Sequence, residues 1–125
     1  MPAALILFAH GARDPAWADP IRRVQAAMQA ADGDVRVEVA FLEFMAPTLA
    51  DCAAALAAAG YRRIVVLPMF VAQGGHLKRE VPEILALLRG HYPAVEFELA
   101  EAVGENETVI RAMAEAGLAL LEQHS

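Results

Sequence analysis

The sequence predicts a three-layer α/β domain, in which helices cover both faces of a four-stranded parallel sheet. Strand-like runs, either continuously apolar or alternating between apolar and charged residues, are each followed by a stretch in which apolar residues recur at helical spacing. That order is typical of successive βα units and of a parallel sheet. The chain has 125 residues, of which 58% are hydrophobic, and this is enough for one core. We therefore expect a single domain over residues 1–125.

The four predicted strands differ in their patterns. Strand one (Ala4–Ala9) and strand three (Ile64–Phe70) are continuous apolar runs, as in strands that are buried on both faces. Strand two (Val35–Leu42) and strand four (Val95–Leu99) contain alternating apolar and charged residues, which indicates the edges of a sheet. Two central and two edge strands, joined by right-handed crossovers, give the strand order 2-1-3-4.

The first two predicted helices follow strands one and two. Asp19 and Pro20 are suited to the N-cap and the first position of the first helix, because proline is favoured where no backbone donor is needed. The second helix is expected from near Pro47 to Ala59, and Gly60 is a natural stop. Its inward-facing residues are predicted to be Leu49, Cys52, Ala53 and Leu56.

The third and fourth predicted helices follow strands three and four. The third is expected to begin near Val81, with Pro82 in its first turn, where proline is tolerated. Its apolar face is predicted to hold Ile84, Leu87 and Leu88. Asn106 is a suitable cap for the fourth helix. The apolar stripe of that helix is interpreted as core, and it consists of Val109, Met113, Leu120 and Leu121.

Composition and motifs exclude several classes of function. The net charge of −6 argues against nucleic acid as the main partner. No apolar run approaches the roughly 20 residues needed to span a membrane, and the N-terminus lacks the basic region of a signal peptide. The single cysteine, Cys52, fits a reducing cytoplasm and is interpreted as a buried structural thiol. No phosphate-binding glycine loop occurs, so no nucleotide is expected.

Three residues with useful chemistry each follow a predicted strand. His10 follows strand one, Glu43 follows strand two, and His76 comes a few residues after strand three. Parallel strands bring their carboxyl ends to one edge, where open α/β sheets bind ligands. Two imidazoles and a carboxylate at one crevice can hold a divalent metal or move protons. Taken singly, each residue also has an ordinary interpretation as a hydrogen-bonded or solvated side chain.

The ligand types suggest which metals and ligands would suit this crevice. Neutral imidazole binds cobalt, nickel, iron and zinc, and two histidines leave coordination positions open for a metal that must be handed over. Arg13, Lys78 and Arg79 lie beside the histidines in the sequence. They could form a basic rim for a polyanionic ligand in an otherwise acidic protein, or they could be solvated surface charges.

Three segments carry a resemblance to a known family. They are the His10-Gly11-x-Arg13 turn, the segment Leu42-Glu43-Phe44 before Pro47-Thr48, and the stretch from Phe70 to Pro82. In these the chain resembles the small, single-domain sirohydrochlorin cobaltochelatases and ferrochelatases, which are class II tetrapyrrole chelatases. The resemblance runs over nearly the whole length. Ala12 and Glu80 depart from the family pattern, in which serine and aspartate are usual.

The resemblance implies a fold, an activity and a site. It implies one half of a class II chelatase fold, working as a homodimer in the cytoplasm, because longer relatives fuse two such domains around one cleft. The implied activity is ATP-independent insertion of cobalt, or alternatively iron or nickel, into sirohydrochlorin for cobalamin or sirohaem synthesis. By position, His10 and His76 become metal ligands, and His10 or Glu43 takes up the protons. The macrocycle would contact Arg13, Glu43, Val71, Ala72, Gln73, Gly74 and Gly75.

Two other classes of function remain as alternatives at the level of sequence. The same scaffold could serve as a non-catalytic carrier of a tetrapyrrole or a metal. It could also be a small α/β regulatory module, which would bind no tetrapyrrole.

Overall fold

The computed structural model describes residues 3–123, apart from the side chain of His76. Four parallel strands form one sheet with the order β2-β1-β3-β4, as predicted. The strands are β1 (Ala3–Ala9), β2 (Arg36–Phe41), β3 (Arg63–Pro68) and β4 (Glu96–Leu99). The helices are α1 (Asp19–Ala31), α2 (Leu49–Ala58), α3 (Gly75–His91) and α4 (Glu107–Gln123), with short 3-10 helices at Pro15–Ala18 and Val103–Glu105.

The core has one layer on each face of the sheet. On one face, α2 and α3 pack against the strands, and the buried residues include Phe8, Leu56 and Leu85. On the other face, α1 contributes Ile21 and Met28 to a smaller cluster around β1 and β2. Because β1 is buried on both faces, its residues had to be apolar at consecutive positions. All four residues of α2 predicted to face inward are buried.

Local sequence signals fix several helix ends. The Thr48 hydroxyl accepts a hydrogen bond from the Asp51 amide at 3.1 Å, and α2 therefore begins two residues after Pro47. The Asn106 side chain accepts from the Thr108 amide at 2.9 Å, which confirms it as the cap of α4. Asp19 is the first residue of α1 and not its N-cap, because a 3-10 helix leads directly into α1.

The predicted start of the third helix is wrong by six residues. Helix α3 begins at Gly75, so Pro82 lies inside it and not in its first turn. A proline inside a helix costs about 3 kcal/mol. Burying Val81 and Leu85, each at most 1% exposed, contributes about 1.5–3 kcal/mol per side chain. The cost of the exposed Pro82 is thus outweighed by the packing of these two neighbouring side chains.

The apolar face of α3 is also shifted from the prediction. Leu87, predicted to face inward, is 68% exposed, whereas Leu85 and Leu88 are buried. Val81, Leu85 and Leu88 recur at positions i, i+4 and i+7, which lie on one side of a helix.

The interpretation of the α4 stripe as core is wrong. Val109 is half-buried, but Met113, Leu120 and Leu121 are 44%, 58% and 70% exposed. Helix α4 does not lie along the sheet, so its amphipathic pattern identifies an apolar face that residues 3–123 leave uncovered. None of the helices described is long and apolar enough to cross a membrane.

The core packing leads to a prediction about stability. Leu56 is fully buried, and Leu56→Ala should lower the free energy of unfolding by about 2–5 kcal/mol, through lost burial and the cavity left behind. Leu87→Ala, at an exposed position of the same residue type, should change it by less than about 0.5 kcal/mol. Urea denaturation of the two variants measures the difference, and equal midpoints would contradict this assignment of the core.

Candidate functional site

Hydrogen bonds beyond the strand ends bring His10 and Glu43 together. The ladder between β1 and β2 continues past Phe41, since the Leu42 amide donates to the Ala9 carbonyl at 2.9 Å. The Glu43 amide then donates to the His10 carbonyl at 3.1 Å. These bonds hold the two backbones side by side after the strands have ended, so the two side chains leave the sheet at the same point.

The two side chains face each other at the surface. His10 Nε2 lies 3.3 Å from Glu43 Oε1, and the side chains are 47% and 49% exposed. Each is therefore open to a ligand while being oriented by the other. A carboxylate beside one ring nitrogen of a histidine is the arrangement by which proteins orient metal-binding imidazoles, and it also suits proton transfer.

Gly11 makes this close approach possible. Its φ is +94°, a conformation that side chains disfavour. A Cβ atom at this position would collide with the Glu43 carbonyl oxygen. The turn after β1 thus needs glycine both for its backbone angle and for its contact with the segment after β2.

Phe44 and Arg13 extend the site beyond the histidine and the carboxylate. Phe44 has a φ of 68°, which is an outlier for a bulky side chain and is characteristic of functional positions. Its ring is 58% exposed, and the Arg13 guanidinium lies 5.0 Å from the ring centroid, within cation–π range. Sequence reasoning named the Phe44 segment but did not identify this residue as part of the site.

The loop after β3 lies at the same edge of the sheet. The Met69 amide donates to the Phe8 carbonyl at 2.8 Å, so β3 also leaves the sheet beside β1. Val71 follows in an exposed loop, with 72% of its surface accessible. Ala72 is exposed and Gln73 half-buried, and Gly74 is the N-cap of α3.

Gly104 supports this loop and was not predicted from the sequence. It lies in the 3-10 helix after β4, and its amide donates to the Phe70 carbonyl at 2.9 Å. A Cβ atom at Gly104 would collide with the backbone of Val71. A lone glycine shortly after a strand is the only local signal, and it does not reveal a partner more than thirty positions away.

His76 is the second residue of α3, and its side chain lies outside the described part of the structure. The predicted pairing of His10 with His76 around a metal therefore stays a prediction. Among the side chains described, no group of three or more His, Cys, Asp or Glu residues could hold a metal ion. Gly75 opens α3, and Lys78 and Arg79 are exposed, which suits the predicted basic rim.

An apolar groove lies next to the site. It has a volume of about 380 Å³ and lies between α2 and α3. Leu42, the residue before Glu43, forms part of its wall, and the wall is mostly apolar. It is formed by Phe8, Phe41, Leu42, Thr48, Leu49, Ala50, Ile84 and Leu87. This volume is at the lower end of the roughly 300–1,000 Å³ found for ligand pockets, and the groove is partly open to solvent.

Cys52 is not part of the site. It is buried in α2, as predicted, and burial raises the pKa of its thiol to about 11. The thiolate is the reactive form, so this cysteine is structural and unreactive near neutral pH.

The fold and the His10–Glu43 pair define a class of protein. It is an α/β protein with a histidine–carboxylate pair that is open to solvent beside an apolar groove. The family follows from comparison with known proteins. The CbiX family model matches residues 4–117, and the chain belongs to the CbiX family. A sirohydrochlorin cobaltochelatase of Saccharolobus solfataricus is 31% identical over 111 residues, covering 84% of this chain and 85% of that protein.

Other relatives are longer than this chain. A sirohydrochlorin cobaltochelatase of Methanococcus aeolicus is 33% identical over 85 residues, which are 68% of this chain and 59% of the relative. The chain thus spans about three fifths of the length of such relatives.

Two solved structures share the fold. The crystal structure of a CbiX protein from Marinobacter aquaeolei VT8 has a TM-score of 0.87 and 26% identity, and covers 98% of this chain and 99% of its own. The sirohydrochlorin chelatase SirB from Bacillus subtilis subspecies spizizenii, in complex with cobalt, has a TM-score of 0.78 and 24% identity. That match covers 92% of this chain but 49% of SirB.

The geometry around Gly11 leads to a second prediction. Gly11→Ala forces a positive φ on alanine and a methyl group against Glu43, so it should destabilise the protein by about 1–3 kcal/mol or more. Gly33 has open space around it, and Gly33→Ala should change stability by less than about 0.5 kcal/mol. Urea denaturation compares them, and a Gly11 variant as stable as the Gly33 variant would show that the turn is not constrained.

Proposed function

We propose that this chain is an ATP-independent chelatase that inserts a divalent cation, with cobalt as its first substrate metal, into sirohydrochlorin. The observation that carries the proposal is the exposed pair His10–Glu43, held 3.3 Å apart at the ligand-binding edge of the sheet. Relatives at 31–33% identity are sirohydrochlorin cobaltochelatases, which supports both the macrocycle and the metal. The product would serve cobalamin synthesis or, with iron, sirohaem synthesis.

The metal would be held as a substrate by His10 and His76. With His10 Nε2 turned to the Glu43 carboxylate, Nδ1 is the nitrogen left to bind the cation, as in other carboxylate–histidine–metal arrangements. Two imidazoles bind cobalt, nickel and iron alike and leave coordination positions open. The open positions are needed because the macrocycle nitrogens must replace the protein ligands.

Metal insertion also expels two pyrrole protons. A nitrogen bound to the metal cannot take a proton at the same time, so one group cannot do both tasks at once. Glu43 solves this problem in the proposed mechanism, because it is half exposed and lies beside His10. The carboxylate takes up protons while the imidazole holds the cation, and positioned general bases contribute roughly 10²–10⁴-fold.

The macrocycle would bind across the same edge. Sirohydrochlorin is flat, apolar in its ring and rich in peripheral carboxylates. The exposed Phe44 ring and Val71 provide apolar contacts on two sides of the His10–Glu43 pair. Arg13, next to Phe44, provides a cation for the carboxylates, and Ala72, Gln73, Gly74 and Gly75 allow the ring to approach the backbone.

One chain forms about half of the required enclosure, and we propose that the active form is a homodimer in the cytoplasm. The apolar groove of about 380 Å³ is open and is smaller than a tetrapyrrole needs. The chain covers 49% of SirB, which leaves room for a second unit of the same size in that longer protein.

The proposal is tested by following the absorbance of sirohydrochlorin with cobalt, iron and nickel side by side. A chelatase converts many equivalents of free macrocycle per chain, and we expect the highest rate with cobalt. Conversion that stops at one equivalent would identify a carrier, and absence of any spectral change on mixing would identify a protein that does not bind the tetrapyrrole. A higher rate with iron or nickel would reassign the metal and leave the chelatase in place.

The same assay tests the role of His10. His10→Ala should lower the rate of insertion at least about 10²-fold, because it removes a metal ligand and the partner of Glu43. His91 is exposed at the end of α3, away from the strand carboxyl ends, and His91→Ala should keep the wild-type rate. Both variants should keep the wild-type midpoint in urea, since both positions are exposed. Wild-type turnover by the His10 variant would rule out the proposed site.

A further inference from the structure

The loop after β3 and the segment after β4 are in contact at the ligand-binding edge of the sheet. We call the first of these, residues 69–74, the Val71 loop. The Gly104 amide donates to the Phe70 carbonyl at 2.9 Å, which joins the 3-10 helix Val103–Glu105 to this loop. The backbone of Val71 fills the space that a side chain at Gly104 would need. A side chain at position 104 would therefore displace one of the two segments.

The segment that contains Gly104 is fixed on both sides. Before it, the Ala100 amide donates to the Val66 carbonyl at 2.9 Å, and Ala102 is 1% exposed. After it, the Asn106 side chain caps α4. The 3-10 helix is thus tied to the sheet at one end and to a helix of 17 residues at the other.

The Val71 loop is fixed only where it starts. The Phe70 ring packs edge-on against the buried Phe8 ring, with 6.3 Å between the ring centroids. Beyond it, Val71 is 72% exposed, and Ala72 is exposed as well. Exposed loops move at a lower cost in free energy than segments tied to the core. A side chain at position 104 would therefore push the loop away and leave the 3-10 helix in place.

We propose that Gly104 is a positioning residue for the tetrapyrrole, and that it acts through Val71. Its missing side chain lets the two segments approach, and its amide holds the Phe70 carbonyl. Together they determine where the exposed Val71 side chain lies at the edge of the sheet. The inference rests on the proposed function, in which Val71 contacts the macrocycle. It assigns a part in substrate binding to the segment after β4, where the sequence indicated no site residue.

The metal and the protons are handled at a different place. In the strand order β2-β1-β3-β4, β3 separates Gly104 from the His10–Glu43 pair, which follows β1 and β2. A displaced Val71 loop should therefore weaken the binding of the macrocycle and leave the chemical step unchanged. A loss of binding that is the same in the ground state and the transition state raises KM and leaves kcat as it was.

Gly104→Ala tests the inference in the insertion assay with cobalt. We expect KM for sirohydrochlorin to rise about 10-fold, which corresponds to one lost aliphatic contact, while kcat stays within about two-fold of wild type. Gly90→Ala is the matched control, because a Cβ atom at Gly90 meets open space, and it should keep both wild-type constants. An unchanged KM in the Gly104 variant, or an equal loss of kcat and kcat/KM, would overturn the inference.

A double-mutant cycle shows whether Gly104 acts through Val71. Val71→Ala shortens the side chain but keeps the backbone, so Gly104→Ala displaces the loop in both backgrounds. When Val71→Ala is already present, Gly104→Ala should change the dissociation constant of metal-free sirohydrochlorin by less than about two-fold. If the full loss of affinity persisted in that background, Gly104 would act through another group, and the inference would be wrong.

Hydrogen exchange of the wild-type chain gives a second measurement, which does not depend on the folding of a variant. Metal-free sirohydrochlorin bound against Val71 should hold the loop in place and slow the exchange of the Gly104 amide several-fold, because that amide is exposed when the loop moves away. The Glu105 amide is the internal control. It donates to the Ala102 carbonyl at 2.9 Å and should exchange at an unchanged rate. Equal slowing of both amides, or of neither, would contradict the inference.

These measurements separate the inference from the proposed function. A wild-type chain that neither binds nor metallates sirohydrochlorin would refute the proposed function, and the role of Gly104 with it. A wild-type chain that turns over, together with a Gly104 variant of unchanged KM, would refute the role of Gly104 alone.

Discussion

The parallel pairing of β1 with β2 and β3 determines where His10, Glu43 and the loop after β3 lie. Because the three strands run in the same direction, their carboxyl ends reach one edge, and the chain leaves the sheet there three times. The ladder does not stop at the strand ends, since Leu42 and Glu43 still donate to the carbonyls of Ala9 and His10. A histidine and a carboxylate thirty-three positions apart in sequence are thereby held in contact without a long-range side-chain network.

Most of the fold could be predicted because it depends on patterns that are local to each strand. The continuous apolar run of β1 and the alternation in β4 distinguish central strands from edge strands, and handedness then leaves one order. The start of α3 could not be predicted in the same way. Pro82 is a local signal against a helix interior, and it is outweighed by the burial of Val81 and Leu85, which depends on a sheet that local sequence does not describe.

The α4 stripe shows a different limit of pattern reasoning. Amphipathic spacing at Met113, Leu120 and Leu121 correctly indicates that one side of the helix is apolar. It does not indicate which surface covers that side, because a stripe packed on its own sheet and a stripe packed on another copy have the same sequence pattern. The periodicity that predicts an apolar side of α4 is therefore correct, and the burial of that side within residues 3–123 is not.

The meeting of His10 and Glu43 at one edge of the sheet was predictable, but the support of the neighbouring loop was not. His10 and Glu43 stand out as reactive residue types after apolar strands, whereas Gly104 has no chemistry of its own. Its contribution is the space it leaves for Val71, and such a contact between distant segments has no local signature. The 3-10 helix that contains Gly104 leads directly into α4, so the support of the Val71 loop and the start of α4 share one short segment.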